Sequence, residues 1–412
     1  MKRRVAVTGL GIISACGNNI DDFLFNLMAG KSGVRRISSA YSSLLSVKIA
    51  AQVDFNPFDY LIKKQVSSMD RVNQFASAAA SQAWKDSALS LDAKEKERVG
   101  VYIGCSMGGV NTIEDLYDQL FKHNADKVRP LTLLMAMNNA SASHISIEYG
   151  LSGPCLTIST ACASSANAIG EAFRQVKDGY VDVMLAGGTD ALLTYGGFRI
   201  WEALKVLALE DPEDPSKSCK PFSKNRTGLV LGEGAAMVVL EEMERAVSRG
   251  APIYAEIVGY GSTSDAGHIA RPSLDGQARA MADALKEAGL SPENIDYINA
   301  HGTATQWNDP METQAIKKVF EDYAYNVPVS STKSMHGHTL GAAGAIEFIV
   351  SLLAIKNQAV PPTINLDQPD PECDLDYVPN IGRKGVTVNA VMSNAFAFGG
   401  VNAVLIARKI MA

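Results

Sequence analysis

One cysteine and two histidines stand where the chain could turn them to chemistry. Cys162 lies in Thr160-Ala161-Cys162-Ala163-Ser164-Ser165, between the apolar run Cys155-Leu156-Thr157-Ile158-Ser159 and a helical pattern over 166–173. That spacing puts the thiol on a strand-to-helix corner, where unpaired backbone N–H groups and the positive end of the helix macrodipole favour a thiolate. Its small neighbours leave room for a substrate carbonyl. A free cysteine taken alone is more often an inert core residue, so the reading depends on two distant histidines. His301 sits in Asn299-Ala300-His301-Gly302-Thr303-Ala304-Thr305 and His338 in Lys333-Ser334-Met335-His336-Gly337-His338-Thr339-Leu340-Gly341. Each ends an apolar, strand-like run, the place where α/β sheets build sites, although either alone could be a satisfied loop histidine. Gly341-Ala342-Ala343-Gly344-Ala345 is poor helix sequence by propensity, and it makes sense where backbone must come close to a ligand. Lys333 and Glu347 are near enough in sequence to pair across this turn.

The elements that must position these side chains read as α/β. Short apolar runs at 99–104, 181–188 and 235–240 look like strands buried on both faces. Helical segments at 283–288 and 345–356 lie between or beside them, as in sheets covered by helices. The pattern echoes itself. One half opens on a strand ending in Gly9-Leu10-Gly11 and carries Cys162; the other opens near 253–259 and carries a strand-like run, 295–300, ending at His301. The divide is expected in Arg249-Gly250-Ala251-Pro252, giving an N-terminal half of residues 1–250 and a C-terminal half of residues 251–412. The stretch 210–217 is predicted to be a turn-rich surface loop.

Composition excludes several classes. The 412 residues are 47% hydrophobic and 20% charged, ample for a large core. No apolar run near 18 residues and no signal-peptide pattern are evident, so a soluble, cytoplasmic protein with no membrane partner is expected. Six scattered cysteines without a C-x-x-C pair imply neither disulfides nor a zinc site. A net charge of −6 argues against nucleic acid as the main partner. Gly9-Leu10-Gly11 resembles half a dinucleotide fingerprint, but the third glycine and the later acidic residue are missing, and no redox cofactor is expected.

Taken together, Thr160-Ala161-Cys162, His301-Gly302-Thr303, Lys333-Ser334-Met335 with Gly337-His338, and the closing Asn394-Ala395-Phe396-Ala397-Phe398-Gly399-Gly400-Val401-Asn402 resemble the 3-oxoacyl-[acyl-carrier-protein] synthase II family. The resemblance spans essentially the whole chain and includes the type II polyketide ketosynthases. It implies a duplicated thiolase-like fold layered α-β-α-β-α. It further implies that Cys162 takes an acyl chain from a carrier-protein phosphopantetheine as a thioester, and that malonyl-carrier protein is decarboxylated and condensed with it. His301 and His338 would hold the enolate oxygen, and the backbone N–H groups of Cys162 and Phe398 would form the oxyanion hole. Lys333, paired with Glu347, would order His338; Thr303 and Thr305 would hydrogen-bond the pantetheine arm; Phe396 and Phe398 would gate malonyl entry, though both also read as core aromatics. Met107, in Gly104-Cys105-Ser106-Met107-Gly108-Gly109, would line the acyl pocket, with plain core packing as its other reading. Asn299, Ala300, Glu347, Ser393 and Asn394 fall where some relatives hold a structural monovalent cation, so that group would be structural.

The same resemblance narrows the alternatives. A thiolase would need a second cysteine in the final glycine motif, a starter synthase using coenzyme A would carry asparagine at 338, and a silent chain-length factor would lack Cys162. The main expectation is fatty-acid elongation by a homodimer. The alternative is a ketosynthase of a type II polyketide or aryl-polyene pathway, paired with a Cys-less chain-length-factor homologue. Trp307, His336, Ala397 and Val401 depart from the usual family residues. An acidic carrier protein would dock on basic residues, with Lys63, Lys64, Arg71, Lys127 and Arg129 as candidates; Glu202 stands where arginine is common, with Lys205 one turn on.

Overall fold

The structure, a computed structural model, describes residues 3–410. The principal strands are β1 Val5–Ser14, β2 Val99–Gly104, β3 Cys155–Ile158, β4 Val183–Asp190 and β5 Gly234–Glu242. They are followed by β6 Ala255–Ser264, β7 Tyr297–Asn299, β8 Val329–Ser330, β9 Ala390–Phe396 and β10 Val401–Arg408. All ten belong to one hydrogen-bonded system in the order β8-β7-β9-β10-β6-β1-β5-β4-β2-β3. Read outward from the centre, one side runs 1-5-4-2-3 and the other 6-10-9-7-8, so each strand has a counterpart five numbers on. The directions match too: β4 and β3 pair parallel with β2, β9 and β8 pair parallel with β7, and the remaining pairs are antiparallel. Among the described residues, only Val5–Val7 against Ala255–Ile257 joins the two five-stranded sheets.

Alternation along the strands builds the layers, because successive side chains face opposite sides. In β5, Met237 and Val239 join a core with Phe75, Ala79 and Ala83 of α1 (Arg71–Asp86). Val238 and Leu240 instead join the core shared by α2 (Ser164–Lys177) and α5 (Ala343–Asn357). In β10, Leu405 faces that same middle core, whereas Val404 and Ile406 pack with α3 (Leu274–Ala288) and α4 (Asn308–Phe320). The result is five layers, α-β-α-β-α, with α2 and α5 in the centre. This is the thiolase-like architecture.

The paired glycines of β1 and β6 have a steric purpose. A Cβ at Gly9 or Gly11 would fall 2.2 or 2.0 Å from the Ala83 or Ala79 carbonyl of α1. One at Gly259 or Gly261 would fall 2.3 or 1.9 Å from the Ala284 or Ala280 carbonyl of α3. Gly9-Leu10-Gly11 is therefore a helix-on-sheet contact repeated in both halves, and no nucleotide loop. The segment Leu340–Asn357, 18 residues of mean hydropathy 1.5, is long and apolar enough to cross a membrane, contrary to the sequence expectation. It is 89% buried inside the protein, because a helix covered on every side by two sheets is apolar all round. The run 155–158 also differs from a core strand: β3 is an outer edge, and Leu156 is 51% exposed.

Candidate active site

Cys162 sits on a single 3₁₀ turn, Ala161–Ala163, that leads from β3 into α2. Ala161 takes φ +50°, a left-handed conformation costly for a residue with a Cβ, which kinks the chain and presents the next side chain. The second half repeats the device. Leu340, at φ +53°, opens the turn Leu340–Ala342 into α5. There Gly341 takes the place of the cysteine, and a Cβ at 341 would lie 2.5 Å from Asp190 Oδ2. The duplicated scaffold thus carries a nucleophile in one half only.

The other half supplies the histidines. His301 follows β7, and His338 follows Gly337, whose φ of +66° turns the chain so that His338 N–H donates to the Val230 carbonyl at 2.7 Å. Cys162, His301 and His338 line one cleft with Thr303, Thr305, Phe396 and Phe398. The two imidazole centroids are 5.4 Å apart, with the rings nearly perpendicular. Lys333, wholly buried, donates to His301 Nδ1 at 3.3 Å, to the His301 carbonyl at 2.6 Å and to Glu347, so the histidine it orders is His301 and not, as expected from the sequence, His338. The Leu340 N–H points at His338 Nδ1, 3.4 Å away. With both Nδ1 atoms accepting, each neutral ring carries its proton on Nε2. Burial, followed by the Lys333 charge, holds both histidines well below the usual imidazole range, so they remain neutral.

Two domain families match the chain: "Beta-ketoacyl synthase, N-terminal domain" over residues 2–246 and "Beta-ketoacyl synthase, C-terminal domain" over residues 254–367. The chain belongs to the beta-ketoacyl synthase family. It is 46% identical over 412 residues to 3-oxoacyl-[acyl-carrier-protein] synthase 2 of Coxiella burnetii, covering 99% of both chains. Among solved structures it is similar to a beta-ketoacyl synthase from Burkholderia phymatum, at TM-score 0.92 and 37% identity with full coverage of both chains. It is equally similar, at TM-score 0.92 and 34% identity with full coverage of both chains, to a type II polyketide ketosynthase solved with its acyl-carrier protein.

Several sequence expectations for the synthase need correction. The Cys162 thiol is pushed up to about 12 by burial, which outweighs the Lys333 charge and the Phe398 N–H that favour the anion. The resting group is a thiol, because a cleft dry enough to hold two neutral imidazoles also penalises a bare thiolate. Met107 is not on the lining of the Cys162 cleft, and at 46% exposure it is not a core residue of the chain. Arg71 is committed to a bidentate pair with buried Glu233, at 2.9 and 2.6 Å, and stacks on Phe75, so it is a structural residue. Glu202 accepts from the Ser46 and Val47 N–H groups and pairs with Arg199. Lys63, Lys64, Lys127, Arg129 and Lys205 are exposed, and Arg129 donates to the Ser67 carbonyl.

Phe396 is buried in β9 and meets His301 edge-on at 6.0 Å, while half-buried Phe398 stacks on Trp201 at 5.9 Å. Ala397 adopts no left-handed angle, so its methyl is tolerated, and the turn falls on Gly399 and Gly400 at φ +86° and +71°. Thr303 and Thr305 share a hydrogen bond at 2.9 Å. His336 bridges Thr332 and the Gly337 carbonyl and is driven to about 3, chiefly by burial. Part of the expected cation group is brought together. Ser393 pairs with Asn299 across β9 and β7, and Asn299 Oδ1, Asn394 Oδ1 and Glu347 Oε2 are buried acceptors without a donor among the described residues. Buried oxygens without partners are costly, and an all-oxygen set of this kind fits a hard cation.

Two residues that shape the site were not anticipated. Glu312 of α4 accepts the N–H groups of His301 and Gly302, both at 2.8 Å, and so fixes the turn that carries the imidazole. Asp190, at the end of β4, accepts from Ser106 and from the Gly341 N–H at 2.6 Å. A charged residue closing the apolar run of β4 was a usable signal for Asp190. Glu312 gave none, because its role depends on α4 folding back over His301.

Proposed function

We propose that this synthase elongates acyl chains in fatty-acid synthesis by decarboxylative Claisen condensation. The observation that carries the reading is one buried thiol sharing a cleft with two buried imidazoles whose Nδ1 atoms are engaged, which leaves both Nε2–H groups to donate. In the first step Cys162 Sγ bonds to the acyl carbon, the carrier's sulfur leaves, and the thiol proton ends on it. Malonyl-carrier protein then loses carbon dioxide as its carboxyl C–C bond breaks, and the electron pair moves onto the thioester oxygen. His301 and His338 donate to that oxygen. The enolate carbon attacks the acyl-Cys162 carbonyl, and the tetrahedral oxyanion is held by the Cys162 and Phe398 N–H groups. Collapse expels the sulfur, which takes up a proton, and 3-oxoacyl-carrier protein departs. Lys333 keeps His301 in register, and Thr303 and Thr305 offer hydroxyls to the pantetheine arm.

The working unit is a cytoplasmic homodimer. The free edge of β3 supports this, with Leu156 exposed on it and Leu133, Leu134 and Ile147 exposed in the segment that precedes it. The carrier protein meets the exposed lysines and Arg129 named above. The group at Asn299, Ala300, Glu347, Ser393 and Asn394 holds a monovalent cation that stiffens the β7 and β9 ends and takes no part in the chemistry. The test is to incubate the purified chain with acyl-carrier protein and malonyl-carrier protein, following the mass of the Cys162 peptide and carbon dioxide release. Acyl mass on Cys162 followed by 3-oxoacyl product supports the reading; acylation elsewhere overturns it. Inactivity relieved only by a Cys-less homologue would assign the chain to a polyketide pair.

A further inference from the structure

The cleft has a floor and a mouth, set by burial. Cys162, His301 and His338 are 6%, 3% and 2% exposed at the floor, whereas Trp307, on the same lining, is 66% exposed. Arg271, also exposed, lies with its guanidinium over the Trp307 ring, 6.0 Å from the centroid. Among the described residues it is the only lysine or arginine on the cleft lining, and it pairs with no carboxylate. With no hydrogen bond or ion pair among the described residues, its N–H groups are available to a phosphate, which their fork geometry matches. The one acidic side chain on the lining, Asp265, is already occupied: its oxygens accept from the Ser273 N–H at 3.0 Å and from Asn402 Nδ2 at 2.7 Å. An anion arriving at this cleft therefore meets one available positive charge, and meets it at the rim.

We infer that Arg271, braced by Trp307, is the positioning residue that receives the phosphate ester at the outer end of the substrate's pantetheine arm. The inference rests on the condensation reading above, which puts the thioester end of that arm at Cys162 and so leaves its phosphate at the rim. Neither residue touches the reacting atoms. Their contribution is to capture and register the arm, and it falls on KM while kcat changes little.

The test uses the full chain with four acyl donors: acyl-carrier protein, acyl-coenzyme A, acyl-phosphopantetheine and acyl-pantetheine, the last lacking phosphate. Cys162 acylation is followed by mass for wild type, Arg271→Ala, Arg271→Lys and Trp307→Ala. For the three phosphate-bearing donors Arg271→Ala should raise KM about tenfold, the size of one solvent-discounted charged hydrogen bond. Arg271→Lys should recover part of this, and Trp307→Ala should show a smaller rise in the same direction. With acyl-pantetheine the ratio of variant to wild-type KM should collapse toward one. An equal KM rise with and without phosphate overturns the assignment, as does a rise confined to acyl-carrier protein, which would make Arg271 a contact for the carrier's surface. Failure of wild type to be acylated by any donor would remove the condensation reading itself, and this inference with it.

Discussion

Replacing Lys333 by methionine separates what the buried ion pair does for stability from what it does for the reaction. Both side chains of the Lys333–Glu347 pair are fully buried, and Lys333 spends its donors on Glu347 and on two atoms of His301. Measured in buffer free of sodium and potassium, so that the proposed cation cannot stand in for it, removing the ammonium leaves a carboxylate in the core without a counter-charge, which costs about 3–5 kcal/mol, a large share of a typical folding free energy of about 5–15 kcal/mol. Burial already raises the Glu347 carboxyl, and Lys333 is what opposes it. In Lys333→Met the folded-state value therefore climbs further above the unfolded one. The folded chain then binds a proton that the unfolded chain does not, so stability rises as pH falls, by about 1.4 kcal/mol per unit between those two values. The double variant Lys333→Met/Glu347→Leu carries neither charge and should recover most of the loss. Its decarboxylation should stay about 10²-fold down, because His301 Nδ1 has lost its donor and the Nε2–H tautomer is no longer enforced. Urea unfolding from pH 5 to 9 and carbon dioxide release measure the two effects. Wild-type stability in the single variant, or wild-type decarboxylation in the double variant, would refute the reasoning.

Alkylation of Cys162 by iodoacetamide should accelerate about tenfold per pH unit from pH 7 to 9.5 without levelling, since the thiol is pushed up to about 12; a plateau below pH 8 would contradict a thiol resting state. Gly261→Ala should cost about 3 kcal/mol or more, read as a lower urea midpoint, because its Cβ would lie 1.9 Å from the Ala280 carbonyl. Gly289→Asn, at a left-handed position with open space around it, should cost well under half of that. Light scattering should find wild type dimeric, as proposed, and Leu156→Asp monomeric; a dimeric variant would exclude pairing through β3.

The sequence was most legible where chemistry coincides with chain punctuation. Cys162 at a strand-to-helix junction, and the two histidines beside glycines, announce themselves, and the structure brings all three to one cleft. The halves were visible as an echo, and the strand order explains why: each element of 1-5-4-2-3 has a partner in 6-10-9-7-8. What escaped depends on the surroundings. Local helix-start electrostatics point toward a thiolate, but desolvation is set by distant residues that close the cleft and reverses the direction. Arg71 looked like a surface charge until Glu233, 162 positions away, was placed against it. The expectation of no apolar run near 18 residues missed Leu340–Asn357, whose composition is that of a membrane span because two sheets enclose it as completely as lipid would.

The three-residue seam between the sheets also bears on how this chain could be rewired. Val5 pairs with Ile257 from one side and Ala407 pairs with Ile257 from the other, so these near-terminal residues sit level with each other, about 10 Å apart across one strand. A short tether could join them. The bend at Arg249-Gly250, where Gly250 has no neighbour within 4 Å of an added Cβ, offers a place to open new ends. A circular permutant made this way would present the histidine-bearing half to the ribosome first while leaving every strand neighbour unchanged.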